Sequence, residues 1–440
     1  MKPLIFTYLL TYGGSLVSLF RPYVGFLIYV CFAIIKPDAL WSWAIPQGNY
    51  SRTIALSLLA GWILNGCGQW QFRRATPIVI GLIGFWLVIF VGAFFAPDQD
   101  LGWQTVEPMA KVVGPWIVGL TLIDSRAKLM QLAWVIVISQ GYLAYEFNLL
   151  YYTTVFIPWE FQHGGLDNNG VAITMVTSIG MAFFLGLHAE RWWQKGIVFV
   201  SAGLMAHVVL FSNSRGGMLS LILTAAVCFF LIPKQPKHYL VFALGIALVL
   251  RLAGENVQKR FFQAFASKEE GGDEGGKRKE NWAACIQSMT EHPFGIGPCN
   301  WPVIAPQYGL PRMAAHSTWI QMGAELGLPG LFCLGLFYGT SWLRLWPIAR
   351  GKIPVDDPWM RNFARMVIAS IAGFLTSAQF VSSDGVELPY YLVLIGAGVL
   401  KLTSLQAEQR QAAAYTMHPS AMAQPLQAVP PLAPAGGYYP

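Results

Sequence analysis

The chain has 440 residues, 55% of them hydrophobic and only 12% charged, with a mean hydropathy of +0.48. Soluble domains carry roughly 25% charged residues, so a soluble enzyme, a disordered scaffold and a DNA-binding protein are excluded as first readings. The formal net charge of +7 therefore has to be read through its distribution along the chain and not as a sign of nucleic acid.

A bilayer-crossing helix needs about 20 mostly apolar residues. In chain order the candidates are 4–20, 22–36, 52–67, 75–96, 108–123, 129–146, 170–188, 194–211, 216–232, 238–253, 317–343, 362–380 and 388–404. The N-terminal MKPLIFTYLL has no small-residue cleavage site and reads as a retained membrane segment. The first two candidates are short and separated by Arg21, as a re-entrant pair or one broken span, so about 12 spans are expected. The fold class is an all-α polytopic membrane protein with about 12 transmembrane helices and one large external loop.

Charge orients the spans. Positive residues collect at Arg73/Arg74, Arg126/Lys128, Arg191/Lys195, Lys234/Lys237, Arg344 to Arg365 and Lys401/Arg410. The alternating stretches 97–107, 147–169 and 381–389 have no Lys or Arg and carry Asp98, Asp100, Glu107, Glu160, Asp167, Asp384 and Glu387. These acidic loops are expected outside, and with them residues 254–315, a long loop that crosses regardless of its charges. The side on which the N-terminus lies stays open. Four parts follow: an N-terminal bundle over 1–253, the external loop over 254–315 with short helices, C-terminal spans over 316–404, and a disordered cytoplasmic tail over 405–440, rich in Ala and Pro. Within the loop, 268–280 is polar and Gly-rich and reads as mobile or as a surface turn, and 281–289 has helical spacing of Trp282, Cys285, Ile286 and Met289.

The six cysteines form no metal-site spacing. Cys285 and Cys299 share the external loop, and a disulfide between them is open if that face is oxidising. No GxxxxGK[ST] and no HEXXH occur, which argues against an ATP-driven pump and a zinc protease. Asp98-Gln-Asp100 reads as an ordinary acidic outer loop before it reads as a metal site, and His207 as a packed residue without an evident partner.

Charges at bilayer depth need a partner or a task. Arg215 lies in SNSRGG (212–217), on the side where short loops otherwise lack positive charge, and opens a helix whose N-terminus favours anions. That constellation suits a phosphate or diphosphate; snorkelling to lipid headgroups is the plainer reading. Lys111 is either a snorkelling lysine paired with Glu107 or a substrate ligand. His316 lies where the long loop re-enters the membrane; it is a candidate base, since an unperturbed imidazole titrates near neutral pH, or a helix-end residue meeting water. Asp167 reads as a helix N-cap.

The order of these elements resembles the O-antigen ligase superfamily, which includes oligosaccharide repeat polymerases and protein O-glycosylation ligases. The resemblance rests on Ser214-Arg215-Gly216-Gly217, the R-x-x-x-W of Arg278 and Trp282, EHPFGIGP (291–298) and HSTWIQMGAELGLPG (316–330), and covers residues 160–345. The segment LFRPYVGFLIYVCFAIIKPDALW (19–41) is similar to the exosortase-associated branch. The resemblance implies a GT-C-like architecture and glycan transfer from a polyprenyl-diphosphate carrier to a lipid, protein or glycan acceptor. It places the protein in the bacterial cytoplasmic membrane, with the site facing the periplasm. It implies Arg215 and Arg278 as diphosphate ligands, with Lys111 as a further basic contact, His316 as general base, and neither metal nor other cofactor. Lys277 and Lys279 beside Arg278 depart from the family pattern. Guanidinium forks suit phosphate oxygens, and arginines stabilise charge gathering on a leaving diphosphate. Competing readings are a small-anion transporter, a repeat-unit polymerase and a non-catalytic scaffold. A transporter expects its charges near the midplane, whereas these lie toward the outer surface.

Overall fold

The computed structural model describes residues 1–252, 274–382 and 386–417. Residues 254–273 of the expected external loop, the tail from 418 onward and Asp384 lie outside the described residues. Each of the thirteen apolar segments coincides with a helix. In chain order these are α1 (Lys2–Phe20), α2 (Pro22–Ile35), α3 (Tyr50–Leu64), α4 (Thr76–Phe95), α5 (Gln99–Leu122), α6 (Arg126–Thr153), α7 (Asn168–His188), α8 (Trp192–Phe211), α9 (Arg215–Leu231) and α10 (Pro236–Leu252). The loop helix α11 (Glu274–Glu291) follows, then α12 (Thr318–Ala349), α13 (Pro358–Ser377) and α14 (Leu388–Met417). Eight helices among the described residues are long and apolar enough to cross a membrane by length and composition. The fold is an all-α polytopic membrane protein, with no strand among the described residues.

The N-terminal pair is a helical hairpin. A Cβ on Gly14 would lie 2.7 Å from Ile28, and one on Gly25 only 2.1 Å from the Ser18 hydroxyl. Those pairings converge on Arg21, where the backbone leaves helical geometry before Pro22 starts α2. The Tyr23 hydroxyl donates to the Lys128 carbonyl at the basic end, while Lys36 Nζ reaches the Gly164 carbonyl at 3.0 Å at the acidic end. Phe6 meets Trp41 edge-on at 5.8 Å, so α1 begins at the acidic end of the bundle and α2 returns there. Tertiary contacts thus decide what Arg21 left ambiguous.

Helix α7 runs through the centre, packed by α8, α9 and α13, and most of its residues are buried. Two further expectations change. Residues 274–280 belong to α11 and do not form a turn, because packing of Trp282 and Cys285 carries the helix backwards through the polar stretch. The last helix continues past 404 to Met417; Leu405 to Ala414 are nearly all strong helix formers, and Glu408 pairs with Arg73 at 2.9 Å.

Candidate active site

The acidic end is organised by an interlock between the segment 292–301 and α12. That helix breaks at Gly327, with φ 63° and ψ −161°, two residues before Pro329. Irregular backbone at membrane depth persists only where protein satisfies it, and here the loop does so. Ile296 and Gly297 N–H donate to the carbonyls of Ala324 and Glu325 at 3.1 and 2.9 Å, and Leu328 N–H donates to Pro293 at 2.8 Å. The Glu325 carboxylate, 1% exposed, accepts from the backbone N–H of Cys299 (2.9 Å) and Trp301 (3.2 Å) and from Gln321 Nε2 (3.1 Å). A Cβ on Gly295 would lie 2.3 Å from the Glu325 carbonyl oxygen, and one on Gly327 2.3 Å from that of Pro293. Gly295 of EHPFGIGP and Gly327 of ELGLPG are therefore two halves of one joint.

His316 sits directly before α12 in left-handed backbone (φ 53°), a conformation uncommon outside glycine. Its N–H donates to Ser382 Oγ at 3.1 Å; Ser382 donates to Gln321 Oε1 at 2.5 Å, which also accepts from Ala315 N–H at 3.1 Å. Gln321 then leads to Glu325, so the strained residue hangs from the interlock. The loop helix closes over it. Trp282 Nε1 donates to the Ala315 carbonyl at 2.8 Å, and Asn281 bridges the Ala314 carbonyl (2.9 Å) and Trp301 Nε1 (2.9 Å). Arg278, four residues before Trp282, lies on the same helical face one turn away. Burial, and next the positive charge of Arg278, hold the His316 imidazole below its ordinary value, while Asp167 pulls in the opposite direction. His316, Arg278 and Asp167 thus share one electrostatic neighbourhood, and the imidazole is biased toward its neutral, proton-accepting form.

Arg215 enters from a third direction. Asn213 turns the chain in left-handed backbone (φ 56°), and Ser214 Oγ caps α9 by accepting from Gly217 N–H at 3.2 Å. Asn168 Nδ2 donates to the Ser212 carbonyl at 2.8 Å, joining this turn to the start of α7, where Asp167 caps Gly170 at 2.8 Å. A Cβ on Gly216 would lie 2.8 Å from Phe380. Thr318 N–H contacts the carbonyls of Ala378 and Val381 at 2.8 and 2.9 Å, so the segment 378–382 abuts both the Arg215 turn and the His316 turn.

Lys111 stands elsewhere. It pairs with Glu107 at 2.9 Å, as Arg52 also does, and lines a cavity of about 660 Å³ together with Lys36, Glu387, Trp319 and Tyr338. Arg215, Arg278 and His316 are not among the residues of that wall, although Thr318 is, two positions after His316. Sequence reasoning missed Lys36, Gln321 and Ser382, which carry no motif of their own. The lone carboxylate of Glu325 in an apolar run was a readable signal, but its partners were not.

Cys285 and Cys299 are not joined by a disulfide; Cys285 is buried beside Asn281 Oδ1 at 3.9 Å, and burial pushes its thiol up to about 12. Asp98 caps Leu101 and exchanges backbone hydrogen bonds with the Asn300 amide. Among the described residues no group of three His, Cys, Asp or Glu is arranged for a metal. His207 does have a partner, Asn148 Oδ1 at 2.6 Å, and stacks on Tyr152.

Residues 200–335 match the family model described as O-antigen ligase. The match spans just under a third of the chain and contains Arg215, Arg278, Trp282, His316 and both halves of the interlock. It supports the O-antigen ligase superfamily for this polytopic helical protein, and with it an O-antigen ligase-like membrane enzyme of polysaccharide biosynthesis. No curated protein matches the chain.

Proposed function

We propose that the protein is a metal-independent glycosyltransferase that moves a glycan from a polyprenyl-diphosphate carrier to a hydroxyl acceptor. In this reading the acidic end faces the periplasm from the bacterial cytoplasmic membrane, and 254–315 is the external loop over the site. His316 takes the proton of the acceptor hydroxyl, whose oxygen attacks the anomeric carbon. The bond from that carbon to the diphosphate breaks, and the diphosphate leaves with the electron pair. Arg215 and Arg278 hold it as charge gathers, a role for which guanidinium forks are suited. Attack opposite the leaving group inverts the anomeric centre. Lys111 supplies a positive field from the cavity wall, where the apolar lining suits the carrier chain.

The observation that carries this reading is the common neighbourhood of His316, Arg278 and Asp167, roofed by Trp282, inside the segment that matches the O-antigen ligase family. The test is transfer by purified full-length protein in detergent, from a polyprenyl-diphosphate-linked glycan to lipid, protein and glycan acceptors. His316→Ala is expected to lower the rate by about 10²–10⁴-fold, the range of general base catalysis, with donor binding retained. An unchanged rate removes the base assignment. Absence of transfer by the wild type to every acceptor, with anion flux in proteoliposomes, favours the transporter; chain lengthening with a glycan acceptor identifies a polymerase.

A further inference from the structure

Away from His316 and Arg215, a small space lies between α2, α6, α7 and the start of α14. It measures about 30 Å³ and is bounded by Lys36, Gln140, Phe147, His163, Thr174 and Glu387, among others. Two polar atoms of its wall, Gln140 Oε1 and His163 Nε2, are buried with no hydrogen-bond partner, on residues that are 2% and 8% exposed. The Ile35 backbone hydrogen-bonds the His163 ring, which leaves Nε2 as the nitrogen without a partner. Burial, and next the charge of Lys36, hold this imidazole down to about 4, so near neutral pH Nε2 is a lone-pair acceptor.

Both orphaned atoms are thus acceptors on residues that line one space. They cannot satisfy each other, and buried acceptors are costly to leave unmade. The matching ligand presents two donors within a water-sized volume. The space exceeds the roughly 10–15 Å³ that one water requires, and an internal water takes two to four polar partners. A cation taken by the same lone pairs would sit against the Lys36 ammonium. The Lys36 ammonium donates to Gly164 at 3.0 Å and has further N–H groups to offer the oxygen of such a ligand.

We propose that Gln140, His163 and Lys36 hold one buried water molecule, an internal hydration site that fastens the loop over 154–167 to α2 and α6. The water donates to Gln140 Oε1 and His163 Nε2 and accepts from Lys36 Nζ. The same loop carries Gly164 at the large cavity and Asp167 beside His316, so the water holds the loop that serves both. This inference does not rest on the transfer reading, and its test uses no activity measurement.

The direct test is density from the wild-type full chain at a resolution that resolves waters. One peak within hydrogen-bonding distance of Gln140 Oε1 and His163 Nε2 is expected; an empty space, or a metal ion identified by anomalous scattering, overturns the proposal. A second test is a thermal-unfolding cycle in detergent with Gln140→Met, His163→Phe and the double variant. With a shared water each single change lowers Tm by about 2–4 °C, and the double variant loses less than the sum. Without it each change removes an unsatisfied acceptor, so a Tm that is unchanged or raised, with additive effects, overturns the proposal.

Discussion

The two ends of the bundle handle buried charge in opposite ways. At the basic end Lys401 is fully buried, and its ammonium donates to the carbonyls of Leu120 (2.8 Å), Ile123 (2.9 Å) and Gln69 (3.3 Å). It closes the C-terminus of α5, where orphan carbonyls collect, and each N–H has a neutral acceptor. At the acidic end Arg278 and Asp167 act in opposite directions on the charge of His316, which is held in strained backbone by a chain of amides and hydroxyls. A charge matched by carbonyls is finished as structure. An imidazole biased by neighbouring charges is a candidate for chemistry.

Substitutions that sharpen the contrast rank by expected effect. Arg215→Ala and Arg278→Ala are each expected to lower kcat/KM by on the order of 10²–10³-fold, as for removal of one group that stabilises transition-state charge. Lysine at either position is expected to lose less. Equal donor affinity across wild type, Lys and Ala variants in a binding titration would break the assignment of diphosphate recognition. Gly327→Val drives a side chain into the Pro293 carbonyl at a left-handed position, and an expected loss of about 3 kcal/mol or more is read as lowered Tm and faster proteolysis within 292–301. Unaltered resistance there would show that the interlock does not organise the loop.

Lys401→Met tests the other end. It strands three carbonyls, and a loss of about 1–3 kcal/mol is expected, with transfer per folded molecule unchanged. A fall in transfer at constant stability would erase the distinction between the two ends. The smallest effects are in pH. A depressed His316 keeps its neutral form down to lower pH, so activity fails as pH falls through its folded value. Arg278→Gln removes a positive charge and moves that acid limb upward; Asp167→Asn removes a negative charge and moves it downward, each by about a pH unit or less. Limbs that move in the same direction would contradict the neighbourhood.

Much of this was legible along the chain. Hydropathy located the thirteen apolar helices among the described residues, since a segment that must satisfy its backbone in lipid has little choice but the helix. SNSRGG, R-x-x-x-W and HSTWIQMGAELGLPG contained the residues that the family match also spans. Asp167 as an N-cap and Lys111 with Glu107 were readable because both depend on neighbours three or four positions away.

What depended on distant partners was not readable. That Lys111 shares a cavity with Lys36 and not a wall with Arg215, that Cys285 is spent on packing, and that Arg21 marks a hairpin all follow from contacts across tens to hundreds of residues. Composition and periodicity alone determined a helical membrane protein with its unusual polar residues in view, because burial in lipid and helical spacing are local constraints. Only the tertiary structure decided which polar residues meet, because an imidazole's proton affinity and a glycine's necessity depend on the atoms that the fold brings within a few ångströms.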